Sequence, residues 1–197
     1  CATPPCGGSG GGGTPPAQVI PTGILRINGD LSKTGSGDGA GAVNIDVAVI
    51  DTGIYNHPDL NVVGGINCST GKHYNDGNGH GTHVAGTIAA KDNTFGVVGV
   101  APGANLWAVR VLNNAGSGSL ASLICGVDFV TSKSSIIKVA NMSLGSSGNV
   151  GSCNDGGLHE AICNSVNAGV TYVVTAGNKS DDAANQVPAA YDEVITV

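Results

Sequence analysis

The apolar positions along this chain fall into two alternating patterns. Residues 43–50 (VNIDVAVI) form a β-branched run with little polar interruption, closing at Asp51-Thr52-Gly53. A short run of that kind predicts a strand buried on both faces, as in a parallel sheet. Residues 106–112 (LWAVRVL) and 170–175 (VTYVVT) repeat it, residues 139–144 (VANMSL) give a shorter version, and residues 194–197 (VITV) open another. Between these runs the spacing becomes helical. Residues 83–91 (HVAGTIAAK) predict one helix, residues 119–133 a second with Ser119 as its N-cap, and residues 158–168 a third closed by Gly169. Strands alternating with helices imply a three-layer α/β fold, a mostly parallel β-sheet flanked by helices. Sites in such sheets lie beyond the carboxyl ends of the strands. Asp51, Gly145 and Asn178 all fall at such ends. The chain stops on a strand pattern with no closing turn, so the sheet is expected to be incomplete at its C-terminus.

Composition narrows the picture. A chain of 197 residues, 41% hydrophobic and only 11% charged, with 33 glycines, suits one compact domain rich in tight turns. Residues 1–16, mostly Gly, Pro and Thr, read as a linker or propeptide junction ahead of a domain over residues 17–197. The net charge of −6 disfavours nucleic acid and anionic membranes as partners. No apolar run approaches the ~18 residues a membrane span needs. The six cysteines are even in number and lack metal-type CxxC spacing. They read as disulfides made in an oxidising compartment, or as buried free thiols. The chain begins at Cys1 without a signal segment, so an upstream piece removed, or a fragment, is expected.

Three segments carry candidate chemistry: Asp51-Thr52-Gly53, His80-Gly81-Thr82-His83 and Ala176-Gly177-Asn178. Amide hydrolysis by a serine needs a base, a group that orients the base, and donors for the developing oxyanion. A carboxylate at a strand end, a histidine between glycines just before a helix, and an asparagine at another strand end suit those tasks. Singly, each segment has a plainer reading: a turn, a loop or metal-binding histidine, an ordinary Gly-Asn corner. In this order they resemble the subtilisin-like serine peptidases, the subtilase family, over about residues 17–197.

The resemblance implies residue roles. Asp51 matches the triad aspartate, His80 the triad base, His83 a structural histidine, and Asn178 the oxyanion donor. Gly116, Ser117 and Gly118 match one backbone edge that pairs with substrate. Ser143, Leu144 and Gly145 match the facing edge and the primary pocket, which Gly177 joins. A polypeptide substrate in an extended groove follows, and a propeptide inhibitor is a further expected partner. A structural Ca2+ is implied, held by side-chain oxygens of Gln18, Asp59 and Asn93 and carbonyls of Lys91, Phe95 and Val97. The expected pairings are Cys153–Cys163, Cys68–Cys125 and Cys1–Cys6. The implied protein is a secreted, monomeric, calcium-stabilised serine endopeptidase.

The sequence departs from the family in three places. No Gly-Thr-Ser-Met-Ala segment follows Asn178, so the catalytic serine is expected to be absent and the chain inert by itself. Residues 1–16 precede the point where relatives begin after self-cleavage. Lys179 stands where well-known members carry an acidic residue, which implies a preference for an acidic or neutral side chain before the scissile bond. The alternatives are an inactive peptide-binding module, a chain completed in trans by a second polypeptide, and a metalloenzyme built on His80 and His83.

Overall fold

A computed structural model describes residues 17–39, 41–148 and 150–197. The linker expected over residues 1–16 and the Cys1–Cys6 pairing lie outside the described residues. In chain order the elements are α1 (Thr22–Arg26), β1 (Asp46–Asp51), β2 (Val62–Asn67), α2 (His80–Ala89), β3 (Asn105–Arg110), α3 (Leu120–Ser132), β4 (Val139–Met142), β5 (Ser146–Ser147), α4 (Leu158–Asn167), β6 (Thr171–Val174), β7 (Gln186–Val187) and β8 (Ile195–Thr196). Six strands form one sheet in the order β2-β3-β1-β4-β6-β8, and every pairing in it is parallel. β5 and β7 make a separate antiparallel ribbon. Among the described residues no helix is long and apolar enough to cross a membrane.

The near-continuous apolar runs are explained by two cores. Along β1, Ala48 and Ile50 face one core while Val47 and Val49 face the other. β3 divides the same way, Val109 to the first and Leu106 and Ala108 to the second. The first core is closed by Val127 and Val130 of α3 and by Leu158, Ala161 and Ile162 of α4. The second is closed by Ala85 and Ala89 of α2. Helices therefore cover both faces. Burying one Val or Ile side chain contributes about 1.5–3 kcal/mol, which makes these strands the stable frame of the site.

Within the six-stranded sheet, the strand that periodicity does not reveal is β2. Its sequence, VVGGIN, has a glycine pair where β-branched residues would mark a strand. The neighbouring strand explains it: a Cβ on Gly64 would stand 2.7 Å from Cζ3 of Trp107. The indole of Trp107 needs that space, and its Nε1 donates to Asp46 Oδ1 at 2.7 Å, at the first residue of β1. α2 also differs from expectation. It begins at His80, three residues early, after Gly79 turns the chain at φ 108°. Two predicted cystines form: Cys68–Cys125, tying the end of β2 to α3, and Cys153–Cys163, bracketing the entry to α4.

The chain runs from β1 outward to β2, returns to β3 beside β1, then crosses to β4 on the other side. Loops leaving β1 and β4 therefore diverge, which opens a crevice at their carboxyl ends.

Candidate active site

Asp51 is the last residue of β1 and is fully buried. A buried carboxylate is tolerated only when donors meet it. Here Thr52 N donates to Oδ1 at 2.7 Å, and Nδ1 of His80 lies 2.8 Å from Oδ1 and 2.9 Å from Oδ2. His80 opens α2, and its side chain is 51% exposed. One ring edge is thus held by protein while the other faces solvent. With Nδ1–H donating to Asp51, Nε2 is the nitrogen left to accept a proton.

A second carboxylate fixes the loop that delivers the histidine. Asp76 Oδ1 accepts from Thr52 Oγ1, Asn78 N and Gly79 N, each at 2.9 Å. Its Oδ2 accepts from Thr82 N at 3.0 Å and Thr82 Oγ1 at 2.5 Å. Gly79 and Thr82 supply amide donors that the start of α2 leaves unsatisfied. Partial burial pushes the Asp76 carboxyl upward, but these bonds outweigh it and hold the group below the ordinary carboxylate range. Thr52 closes the circuit by accepting from Gly81 N at 2.9 Å. Gly81 must be glycine: a Cβ there would stand 2.2 Å from the carbonyl oxygen of Gly53.

His80 opens onto a cleft of about 930 Å3 whose walls include Asn178, Gly177 and both predicted backbone edges. One edge follows β3. Ser117 uses both backbone groups internally, its C=O accepting from Asn113 N at 2.8 Å and its N–H donating to Asn113 Oδ1 at 3.1 Å. Gly118 N–H has no protein partner among the described residues. Only part of the Gly116, Ser117, Gly118 edge is therefore open for pairing. Opposite it, Ser143, Leu144 and Gly145 leave the end of β4. Asn178 follows β6, with its amide exposed on the cleft wall. Gln186 is a wall residue that motif reading missed. It is buried, and its amide reaches Ser147 Oγ at 3.4 Å and Asp181 Oδ2 at 3.3 Å. Its place in β7, far along the chain from the other edges, gives no local signal.

His83 lies outside the cleft. It is exposed on α2 and lines an apolar hollow with Ile24 and Ile27 of the N-terminal segment. Neither His80 nor His83 belongs to a group of three or more potential metal ligands among the described residues.

The residues expected to hold a cation do converge. Gln18 Nε2 lies 2.7 Å from Lys91 O and 3.4 Å from each of Asn93 Oδ1, Phe95 O and Val97 O. An amide nitrogen carries two hydrogens, so four oxygens share two protons. Asp59, buried beside them, accepts from Asn93 Nδ2 at 2.5 Å. This oxygen-rich, proton-poor knot matches the donor set a hard cation prefers. Bonds from Val19 N to Gly96 O and from Val98 N to Val19 O bring the N-terminal segment to the loop.

Known proteins share this arrangement of sequence. The sequence profile of the subtilase family, Peptidase_S8, matches residues 43–197. Subtilisin DY of Bacillus licheniformis is 43% identical over 186 residues, covering 92% of this chain and 64% of its own length. A thermostable alkaline protease of Halalkalibacterium halodurans is 44% identical over 182 residues, covering 92% of this chain and 47% of its own. Subtilisin Savinase of Lederbergia lenta is 42% identical over 182 residues, again 92% of this chain and 64% of the relative. The chain thus spans between about half and two thirds of the length of these relatives.

Proposed function

Because this chain belongs to the subtilase family, we propose that it supplies the aspartate, histidine and asparagine of a serine endopeptidase that cleaves peptide bonds in proteins. The observation that carries this reading is the Asp51–His80 pair at the edge of a cleft whose wall also holds Asn178. In the reaction, His80 Nε2 takes the proton of a serine hydroxyl as it attacks the scissile carbonyl. Asp51 keeps the ring in the required tautomer and stabilises the imidazolium that forms. The Asn178 side-chain N–H donates to the oxyanion. Substrate lies extended between the open part of the edge at Gly116 to Gly118 and the edge at Ser143 to Gly145, adding a strand between them.

The nucleophile is assigned to sequence outside these 197 residues, because no Gly-Thr-Ser-Met-Ala segment occurs within them. Residues 17–197 are accordingly read as part of one catalytic domain. The two cystines support an extracellular setting. Ca2+ is assigned to Gln18, Asp59 and Asn93 side chains with the carbonyls of Lys91, Phe95 and Val97. When bound, it would tie the N-terminal segment to the loop after α2 electrostatically.

The test is a fluorophosphonate probe applied to the product of the full reading frame and to this chain alone. Labelling of a serine in the longer product, lost in His80→Ala, is expected, with no labelling of the chain alone. A stop codon directly after Val197, or labelling unaffected by His80→Ala, would sink the reading.

A further inference from the structure

Around His159, a residue of the cleft wall, four potential metal ligands converge from three chain segments. They are Cys153 from the loop before α4, His159 and Cys163 from α4, and Glu193 from the turn before β8. One ligand atom of each lies within 4.8 Å of all the others. His159 and Cys163 are four residues apart on one helix, so they share a face. Both are buried, whereas Cys153 and Glu193 are partly exposed, so the cluster is open to solvent on one side only.

Two further observations show the groups already oriented towards one another. First, the ring of His159 is already set as a ligand would be. Its Nδ1 lies 3.0 Å from the carbonyl oxygen of Val150, and the ring stacks on Tyr191 with centroids 4.0 Å apart. With Nδ1 directed at a carbonyl, Nε2 points at Glu193, the direction from which it would bind an ion held between the two. Second, Glu193 aims one oxygen at each neighbour: Oε2 lies 2.7 Å from His159 Nε2, and Oε1 lies 3.3 Å from Cys153 Sγ. A disulfide sulfur carries no proton, so that second contact is a van der Waals approach rather than a hydrogen bond, and it sets the carboxylate directly beside the sulfur.

We propose that reduction of the Cys153–Cys163 bridge converts this cluster into a four-ligand Zn2+ site built from two thiolates, one imidazole and one carboxylate. Two equivalents of a small thiol reductant break the S–S bond, giving two cysteine thiols and the oxidised reductant. Both thiols then lose their protons to solvent as they bind the ion. The free sulfurs can part to the about 3.8 Å that two thiolates occupy on one tetrahedral zinc. In the oxidised chain only His159 and Glu193 remain as ligands, too few to hold zinc tightly. The site is thus opened by reduction, and it does not depend on the peptidase reading.

Cobalt(II) is the probe, since tetrahedral thiolate sites give it intense visible bands and a near-ultraviolet sulfur-to-metal transition. The full chain is reduced, freed of reductant without oxygen and titrated with Co2+. Both absorptions are expected in the reduced chain, absent from the oxidised one, and bleached by one equivalent of Zn2+. Cys68→Ser/Cys125→Ser keeps them, whereas His159→Ala and Glu193→Gln each weaken binding at least ~10-fold, the least expected when even an orienting partner is lost. A chain unfolded by reduction would bind cobalt through its thiols whatever stood at positions 159 and 193. Bands undiminished in those two variants therefore overturn the proposal, as does their absence from the reduced chain.

Discussion

The imidazole of His80 meets the carboxylate of Asp51 edge-on, Nδ1 lying 2.8 Å from one oxygen and 2.9 Å from the other. The carboxylate has no access to water, and the half-exposed ring has only one edge bound. Asp51→Asn in the complete enzyme should keep the fold and lose turnover. An amide can donate to Nδ1, which would put the proton on the wrong nitrogen. A fall in kcat of roughly 10⁴-fold with KM little changed is expected. Steady-state kinetics on a peptide substrate check it, and a loss below tenfold would remove Asp51 from its assigned role.

Asp76 should matter to the loop that carries His80 rather than to chemistry. Asp76→Asn loses charge-assisted bonds from Gly79 N and Thr82 N, a cost of about 1.5–3 kcal/mol at neutral pH for one such bond. The sign of the pH effect follows from its lowered pKa. A depressed carboxyl contributes stability above its unfolded value of roughly 4 and loses it as pH falls through the lower folded value. The gap in melting temperature between wild type and Asp76→Asn should therefore be full at pH 7 and close in acid. A gap constant from pH 7 to pH 2 would show that the ionised carboxylate is not what holds the loop.

Calcium removal should expose the oxygen knot around Gln18. At free calcium a hundred times its Kd, one site adds about 2.7 kcal/mol, or roughly 5–10 °C of melting temperature in a domain of this size. Chelator should lower the melting temperature by that amount in wild type and by little in Asp59→Ala. Equal melting curves with and without chelator would remove the ion from this loop.

Lys179 should bias specificity weakly. Bonds from Asn185, Asp182 and Gln186 hold the carboxyl of Asp181 below its usual range, and the ammonium of Lys179, on the cleft wall, adds to them. Asp181 in turn offsets part of the lysine's field, and solvent screens the rest, so the effect should stay within about 1 kcal/mol. In the complete enzyme, kcat/KM for Glu before the scissile bond should exceed that for Lys by up to ~5-fold, and Lys179→Glu should reverse the order. Matched peptides cleaved equally by both forms would refute it.

Much of the frame was legible in the chain alone. Residues 47–50 carry apolar side chains at every position because both sheet faces are covered, so a parallel strand shows without any partner in view. Ser119 marks its helix because an N-cap acts within one turn, and Ser122 N donates to its side chain at 3.1 Å. Asp51, His80 and Asn178 stand out as short motifs at element ends. Other features depend on residues distant in sequence. Gly64 lies in a strand because β2 pairs with β3, where Trp107 fills the space its side chain would need, and α2 starts at His80 because Asp76 holds donors at Gly79 and Thr82. Gln186 reaches the cleft wall through its pairing with Ser147, and Glu193 meets His159 across 34 residues. Local periodicity and caps act over one turn or one strand, so sequence by itself determined the central strands, the main helices and the reactive residue types. Side-chain contacts across the sheet have no such period, so only the tertiary structure added Asp76 and Thr52 as supports of the histidine loop and Gln186 as a wall of the cleft.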